Sequence, residues 1–309
     1  LNNKKSPLIS ILIPSYQYID GICRNLIQLS IIDDFEVIIF DDSSNKEIEN
    51  IVTAWKKESC ITITYQHNTP ALGAISNWNA LLDKARGEYC LLMHHDEFPL
   101  SENFISNLIT TLRNHPKTDI ALLDCILINP KNAHNRRHLP TWLRTLVLTH
   151  FPKYLYRRNV IGPTATLVIR RSIFPKFDTR LHWLVDVDVY VQLFEKTKNV
   201  LVCPNLKIGS ILGRADSITA FLGSSTVKIK QQELIYMRNK YFSDTIWLGS
   251  FNQETFINKL LSSFETICWY NLRAFTRLFS IAFPHQIPIN KVKIALNTKV
   301  KIGSKNDHF

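Results

Sequence analysis

Short apolar runs alternate with stretches of helical period from Leu8 to Ile128. Leu8–Ile13, Glu36–Phe40, Ile61–Tyr65, Tyr89–Met93 and Ile120–Ile128 are rich in β-branched and aromatic residues, and read as buried strands. The stretches between them carry helix signals. Asp20 caps a helix with Ile22, Leu26 and Leu29 on one face. Ser44-x-x-Glu47 has the form of a capping box ahead of Ile48, Ile51, Val52 and Trp55. Gly73 opens a helix that turns Ile75, Trp78, Leu82 and Ala85 inward and is closed by Gly87. Ser101 caps a helix with Phe104, Leu108 and Leu112, stopped before Pro116. This alternation predicts an α/β domain with a mostly parallel, Rossmann-like doubly wound sheet.

Beyond Ile128 the pattern loosens. Thr141–Tyr156 has the spacing of an amphipathic helix interrupted by Pro152, and Thr164–Arg170 and Val200–Cys203 read as strands. Gly223-Ser224-Ser225 marks a boundary, which divides the chain into 1–223 and a C-terminal helical appendage, 224–309. Lys228–Tyr241 and Thr255–Phe283 are helical by pattern, and Lys291–Phe309 reads as a loosely packed tail.

Composition narrows the setting. The 309 residues are 45% hydrophobic and 20% charged, which suffices for a sizeable core. No apolar run is long enough for a spanning helix, and Leu1–Lys5 lacks a signal-peptide apolar region. The six cysteines are scattered without a Cys-x-x-Cys, as expected of reduced core thiols in a cytoplasmic protein. Net charge is +11. Between Cys125 and Phe177 stand ten basic residues and no acidic one, a field that favours anionic partners. Nothing matches a nucleic-acid motif, so nucleic acid is not expected as a partner.

The chemistry is concentrated at two strand ends. Glu36–Phe40 runs into Asp41-Asp42-Ser43-Ser44, and Tyr89–Met93 runs into His94-His95-Asp96-Glu97. Open α/β sheets bind ligands beyond the carboxyl ends of such strands. Paired carboxylates there suit a ligand with donor groups, a divalent cation, or both.

At these residues the chain resembles the family 2 glycosyltransferases of the GT-A fold. The likeness is carried by Pro14-Ser15-Tyr16, the Asp41–Ser44 turn, Gly73–Asn79 with Ala85–Tyr89, His94–Glu97, Asn159–Pro163, and Phe177-Asp178-x-x-Leu181 followed by Asp186-x-Asp188. The resemblance implies a nucleotide-sugar donor, most commonly a UDP-sugar, lying against Pro14, Ser15, Tyr16, Asp41, Asp42, Asn77, His95 and Asp96. Tyr16 can stack on the base, and Asp41 or Asp42 can accept a base hydrogen. Asp96 would meet the ribose and, with Glu97, a divalent cation, Mg²⁺ or Mn²⁺. Trp183 and Gly162 fall on the acceptor side. Asp186 is implied as the base that deprotonates the acceptor hydroxyl for an inverting attack, its pKa raised by an apolar setting.

The chain departs from the family pattern in three places. Glu97 stands where Asp is usual, Val185 stands where Glu usually precedes the base, and Ser76 lies where many relatives place Arg. Val185, Val187, Val189 and Val191 alternate as in a strand, while Val187, Tyr190, Val191 and Phe194 share a helix face; the resemblance decides for a helix starting near Asp186. His94 and His95 invite a zinc reading, but adjacent residues of an extended segment point to opposite faces.

The expected function is therefore transfer of a sugar to a glycan or lipid-linked acceptor in surface polysaccharide assembly. The alternatives are a non-catalytic sugar-nucleotide or glycan-binding module, and a phosphohydrolase with Asp41 as nucleophile, which lacks the required Asp-x-Asp on the first strand. The basic, aromatic 125–177 stretch and the apolar face of Thr255–Phe283 suggest a peripheral place on the inner face of an anionic membrane; that face also suits a homodimer interface.

Overall fold

The structure, a computed structural model, describes residues 6–29, 34–58, 61–129, 136–137, 141–150, 152–156, 159–212 and 226–242. All of them lie within one compact unit, Leu1–Ser243. The boundary at Gly223–Ser225, the Thr255–Phe283 helix and the Lys291–Phe309 tail lie outside the described residues.

The first half of the unit builds as the pattern requires. Strands β1 (Ile9–Ser15), β2 (Phe35–Asp41), β3 (Ile63–His67) and β4 (Tyr89–Leu92) alternate with helices α1 (Ile19–Leu29), α2 (Glu47–Glu58) and α3 (Ala74–Lys84). The strands pair in parallel in the order β3-β2-β1-β4. Every residue of β1, β2 and β4 is buried, as central strands covered on both faces must be. After β4 come β5 (Glu97–Pro99), α4 (Phe104–Asn114), β6 (Ile120–Ile128), β7 (Arg136–Arg137), α5 (Thr141–His150), β8 (Leu167–Arg170), α6 (Val185–Lys196), β9 (Val200–Ile211) and α7 (Thr226–Phe242).

Past β4 the pairing becomes mixed. β8 is antiparallel to both β4 and β6, β9 is parallel to β6, and β5 and β7 are antiparallel to β9 and β6. Among the described residues this completes a nine-stranded sheet. The strand at Val200–Cys203 continues to Ile211: Cys203 pairs with Leu123 and Lys207 with Asp124, so Pro204, Asn205 and Leu206 bulge out. Pro204 removes an amide and breaks the alternation, which hides the second half of the strand from a pattern reading.

Several local signals resolve differently from expectation. The Ser44 capping box does not form. The Glu47 amide bonds Asn45 Oδ1 at 3.2 Å, while Ser44 Oγ accepts from Gln17 Nε2. Asp20 lies inside the first turn of α1, where a negative charge suits the helix dipole. The segment Thr141–Tyr156 divides at Pro152 into α5 and a short 3-10 turn, Pro152–Tyr156. Of the cysteines, 23, 90, 125 and 203 are free thiols, and 60 and 268 lie outside the described residues. Burial pushes the Cys90 and Cys125 thiols up to about 12, which leaves them unreactive.

A buried carboxylate ties the other end of the sheet. Glu36, 1% exposed, accepts from Ser10 Oγ at 2.7 Å and from Arg86 through its amide (2.8 Å), Nε (2.9 Å) and Nη2 (2.6 Å). Ser10 Oγ in turn accepts from the Gly87 amide at 2.8 Å. These bonds satisfy a charge that would otherwise be costly in a central strand. Gly87 does not close α3, which ends at Lys84 with Ala85 as its extended C-cap. Its role is clearance, because a Cβ there would sit 2.5 Å from the Ser10 nitrogen and 2.8 Å from the Ile9 carbonyl carbon. Both are backbone atoms of β1 and cannot give way. Gly87→Ala should therefore cost about 1–3 kcal/mol of stability in urea unfolding. An unchanged unfolding midpoint would contradict this packing.

Candidate active site

Parallel pairing brings the chemical residues to one edge. Ser15 pairs with Asp41 at the carboxyl ends of β1 and β2, and β4 beside β1 delivers the chain to His94. Pro14 and Ser15 are buried, whereas Tyr16 is about half exposed, so its ring is available for stacking.

The two aspartates of the β2 turn have different tasks. Asp41 is fully buried. Its Oδ1 accepts from the Ser43 amide (2.9 Å) and hydroxyl (2.5 Å), and its Oδ2 from the Tyr65 hydroxyl (2.8 Å). Both oxygens thus accept bonds from within the protein, and these bonds order the turn. Asp42 uses Oδ1 to accept from Asn68 Nδ2 (2.8 Å) and the Leu72 amide (3.1 Å), and its Oδ2 takes no part in these bonds. Asn77 on α3 is buried and donates through Nδ2 to the Phe40 carbonyl at 3.1 Å, which ties α3 to the end of β2.

The segment after β4 gathers the second cluster. The Glu97 carboxylate is 3% exposed and accepts from the His94 amide through Oε2 at 2.8 Å. The same oxygen lies 3.2 Å from His94 Nδ1, which is also 3.2 Å from Thr164 Oγ1. Trp78 of α3 meets the His94 ring edge-on, with centroids 4.7 Å apart. Burial pulls the His94 pKa down, but Glu97, together with Asp96 and Asp186, outweighs it and the net shift is upward. His95 points elsewhere, edge-on to Tyr18 with centroids 5.4 Å apart. The two histidines have different ring partners, although β4 ends at Leu92 and His95-Asp96 form a turn rather than the expected extended segment.

Ligand atoms of His94, Asp96 and Glu97 all lie within 4.8 Å of one another. The two carboxylates offer the oxygen ligands that Mg²⁺ or Mn²⁺ takes, and the imidazole nitrogen suits Mn²⁺ better than Mg²⁺. Asp96 and Glu97 belong to the expected set, and the structure brings His94 beside them. Its signal in the sequence was ambiguous, since adjacent histidines do not show which one turns inward.

Asp186 lies in the first turn of α6, so the helical alternative for this segment is the one the chain adopts. It is partly buried, and Asn159 Nδ2 donates to its Oδ2 at 3.0 Å, while the Val187 amide donates to Oδ1 at 2.8 Å. Desolvation pushes its pKa to about 6, against smaller lowering effects from the Val187 and Asp186 amides and from His94. Asn159 is itself locked, since its Oδ1 accepts from the Ile161 and Gly162 amides and its Nδ2 also donates to the Gly162 carbonyl. Gly162 is buried, with φ near 100°, and accepts a further bond from the Tyr190 hydroxyl. Its backbone shapes the turn that holds Asn159 against Asp186. Trp183, half-buried, stands three residues before Asp186.

Comparison with known proteins places the chain in a family and a fold. The sequence model of Glycosyl transferase family 2 matches residues 10–177. The abequosyltransferase RfbV of Salmonella typhimurium is 29% identical over 147 residues, which cover 45% of this chain and 42% of that protein. The chain thus aligns with less than half the length of that relative. Among solved structures, S. aureus TarS residues 1–349 with UDP-GlcNAc superposes with a TM-score of 0.54 at 14% identity, over 80% of this chain and 77% of that 1–349 fragment. The mannosyltransferase PcManGT of Pyrobaculum calidifontis, in complex with GDP-Man and Mn2+, gives 0.54 at 14% identity over 97% and 82%. These likenesses show the GT-A fold, and the family match shows membership: the chain belongs to glycosyl transferase family 2.

The Asp186 environment has a measurable consequence for stability. Its folded pKa of about 6 lies above the ordinary value of 3.8. The stabilising contribution of its protonated form is therefore fully present below about pH 4 and lost as pH rises through about 6. A rise of that size is worth on the order of 2–3 kcal/mol. Asp186→Asn should be more stable than wild type at pH 8, with the difference vanishing near pH 4. A variant less stable than wild type at pH 8 in urea unfolding would contradict the desolvation of Asp186.

Proposed function

We propose that this family 2 glycosyltransferase transfers a sugar, with inversion, from a nucleotide-sugar donor to a glycan or lipid-linked acceptor in surface polysaccharide assembly. The observation that carries the reading is Asp186: a carboxylate fixed at the start of α6 by Asn159 and desolvated to a pKa of about 6. That value suits a general base near neutral pH. The acceptor hydroxyl gives its proton to Asp186 as its oxygen attacks the anomeric carbon. The bond from that carbon to the diphosphate breaks on the opposite face, and the nucleoside diphosphate leaves with the bonding pair. One displacement inverts the centre.

The donor occupies the crevice beyond β1, β2 and β4. Tyr16 stacks on the base, Asp42 accepts a base hydrogen, and Asp96 accepts from the ribose. His94, Asp96 and Glu97 would hold a divalent cation. Such an ion neutralises charge on the leaving diphosphate. The donor we propose is a UDP-sugar; the solved neighbours named above carry UDP-GlcNAc and GDP-Man. The acceptor setting is supported by the likeness to an abequosyltransferase.

Release of nucleoside diphosphate across a panel of UDP-, GDP- and CDP-sugars, with and without Mn²⁺, tests this reading. Glu97→Ala and EDTA should each abolish metal-dependent turnover. Asp186→Asn should keep donor affinity and lose on the order of 10²–10⁴-fold in transfer rate. Full activity in EDTA removes the cation role, and loss of donor binding in Asp186→Asn removes the base role.

We further propose peripheral attachment to an anionic membrane. Ten basic residues and no acidic one lie between Cys125 and Phe177; Arg144 is fully buried and Arg170 is paired with Glu88 and Asp119, so the proposal rests on the others. No helix among the described residues is long and apolar enough to cross a membrane. Each Lys or Arg near such a surface contributes about 1 kcal/mol. Co-sedimentation with liposomes should rise with anionic lipid and fall with salt. Equal failure to bind neutral and anionic vesicles at low salt would overturn it.

A further inference from the structure

The segment that carries Trp183 and Asp186 is held by a helix outside the family-matched residues. Glu233 of α7 is 5% exposed, and its carboxylate accepts from three successive amides. His182 donates to Oε1 at 2.6 Å, Trp183 to Oε1 at 3.2 Å and Oε2 at 3.0 Å, and Leu184 to Oε2 at 2.7 Å. Leu184 is the N-cap residue of α6. Consecutive amides of this kind form a concave anion site, and the adjoining helix start adds the positive end of its dipole. Here the anion is supplied by the chain itself.

Other α7 residues fix the ends of the same segment. Lys240 Nζ bonds both oxygens of the fully buried Asp188, at 2.7 and 2.9 Å, and the Tyr241 hydroxyl donates to Asp188 at 2.6 Å. The Tyr236 hydroxyl donates to Asp178 at 2.6 Å. Asp178, the 182–184 backbone and Asp188 are therefore all anchored on one helix. Among the described residues of α7, only Glu233 bonds the backbone immediately before Asp186.

We propose that Glu233 is a positioning residue for glycosyl transfer. Through the His182, Trp183 and Leu184 amides it sets where Trp183 and Asp186 stand against the acceptor. The proposal rests on the reading of Asp186 as the base. Displacing such a group by about 1 Å costs on the order of 10²-fold in rate. Donor binding, built on β1, β2 and β4, does not depend on it.

The test uses the full chain with Glu233→Gln and Glu233→Asp, read by amide hydrogen exchange and by kinetics. Gln loses the charge, and Asp keeps it but is one methylene too short to reach all three amides. In Glu233→Gln, exchange at residues 182–184 should rise while exchange late in α6 stays protected. The kcat for transfer should fall on the order of 10²-fold with donor Kd unchanged, and Glu233→Asp should fall between Gln and wild type. Should Glu233→Gln not fold, Glu233→Asp decides on the same two readouts. Faster exchange with wild-type kcat, a parallel fall of kcat and donor affinity, or failure of both variants to fold would overturn the proposal. Asp186→Asn, run alongside, separates the two readings. If it transfers normally, the base assignment fails; if it is inactive while Glu233→Gln is not, only the positioning role fails.

Discussion

Parallel pairing of β1 with β2 on one side and β4 on the other is the constraint on which the site depends. With Ser15 opposite Asp41 and Leu12 opposite Leu92, the turns that follow these strands leave the sheet at one edge. The pairing is held by full burial of all three strands, and at their opposite ends by the Glu36 carboxylate shared between Ser10 and Arg86. A one-residue slip would turn each side chain to the other face. It would also separate the Asp42 turn from the Tyr16 loop.

On this frame the chain distinguishes carboxylates by their surroundings. Asp41 and Asp188 are buried and saturated with protein donors, and they organise structure. Glu97 is buried beside His94 and Asp96, where a cation would complete the set. Asp186 accepts from the Asn159 side chain and the Val187 amide, but desolvation outweighs these bonds and its proton is held to near neutrality. Under the proposed function the same residue type would serve as brace, ligand or base according to whether donors or desolvation dominate around it. As the proposed base, Asp186 would trade stability for reactivity, which is common at active sites.

The parallel half of the fold was legible because its signals are local: buried runs of four to seven residues and helical faces such as Ile22, Leu26 and Leu29. The mixed half was less so. β5 is three residues long and begins with a charge, and β9 is interrupted by Pro204. In both, long-range pairing overrides a weak local pattern. In the site, the Asp-Asp turn, the His94–Glu97 run and Asp186 could be found from residue type and order. The division of labour between Asp41 and Asp42 could not, because it depends on Tyr65 and Asn68, which reach the turn from β3 and the residue that follows it. Asn159 stood in a visible motif, but its bond to Asp186 crosses 27 residues. Glu233 gave no signal, since it reads as one more polar residue on a helix of mixed face.

The central claim is that Asp186 removes the acceptor proton in a single displacement. The pH dependence of kcat/KM for transfer, at saturating Mn²⁺, tests it most directly because this parameter reports ionisations of the free enzyme. The structure predicts an acid limb with an apparent pKa of about 6, activity falling as pH drops through it. A profile that stays flat from well above to well below that value would contradict the account.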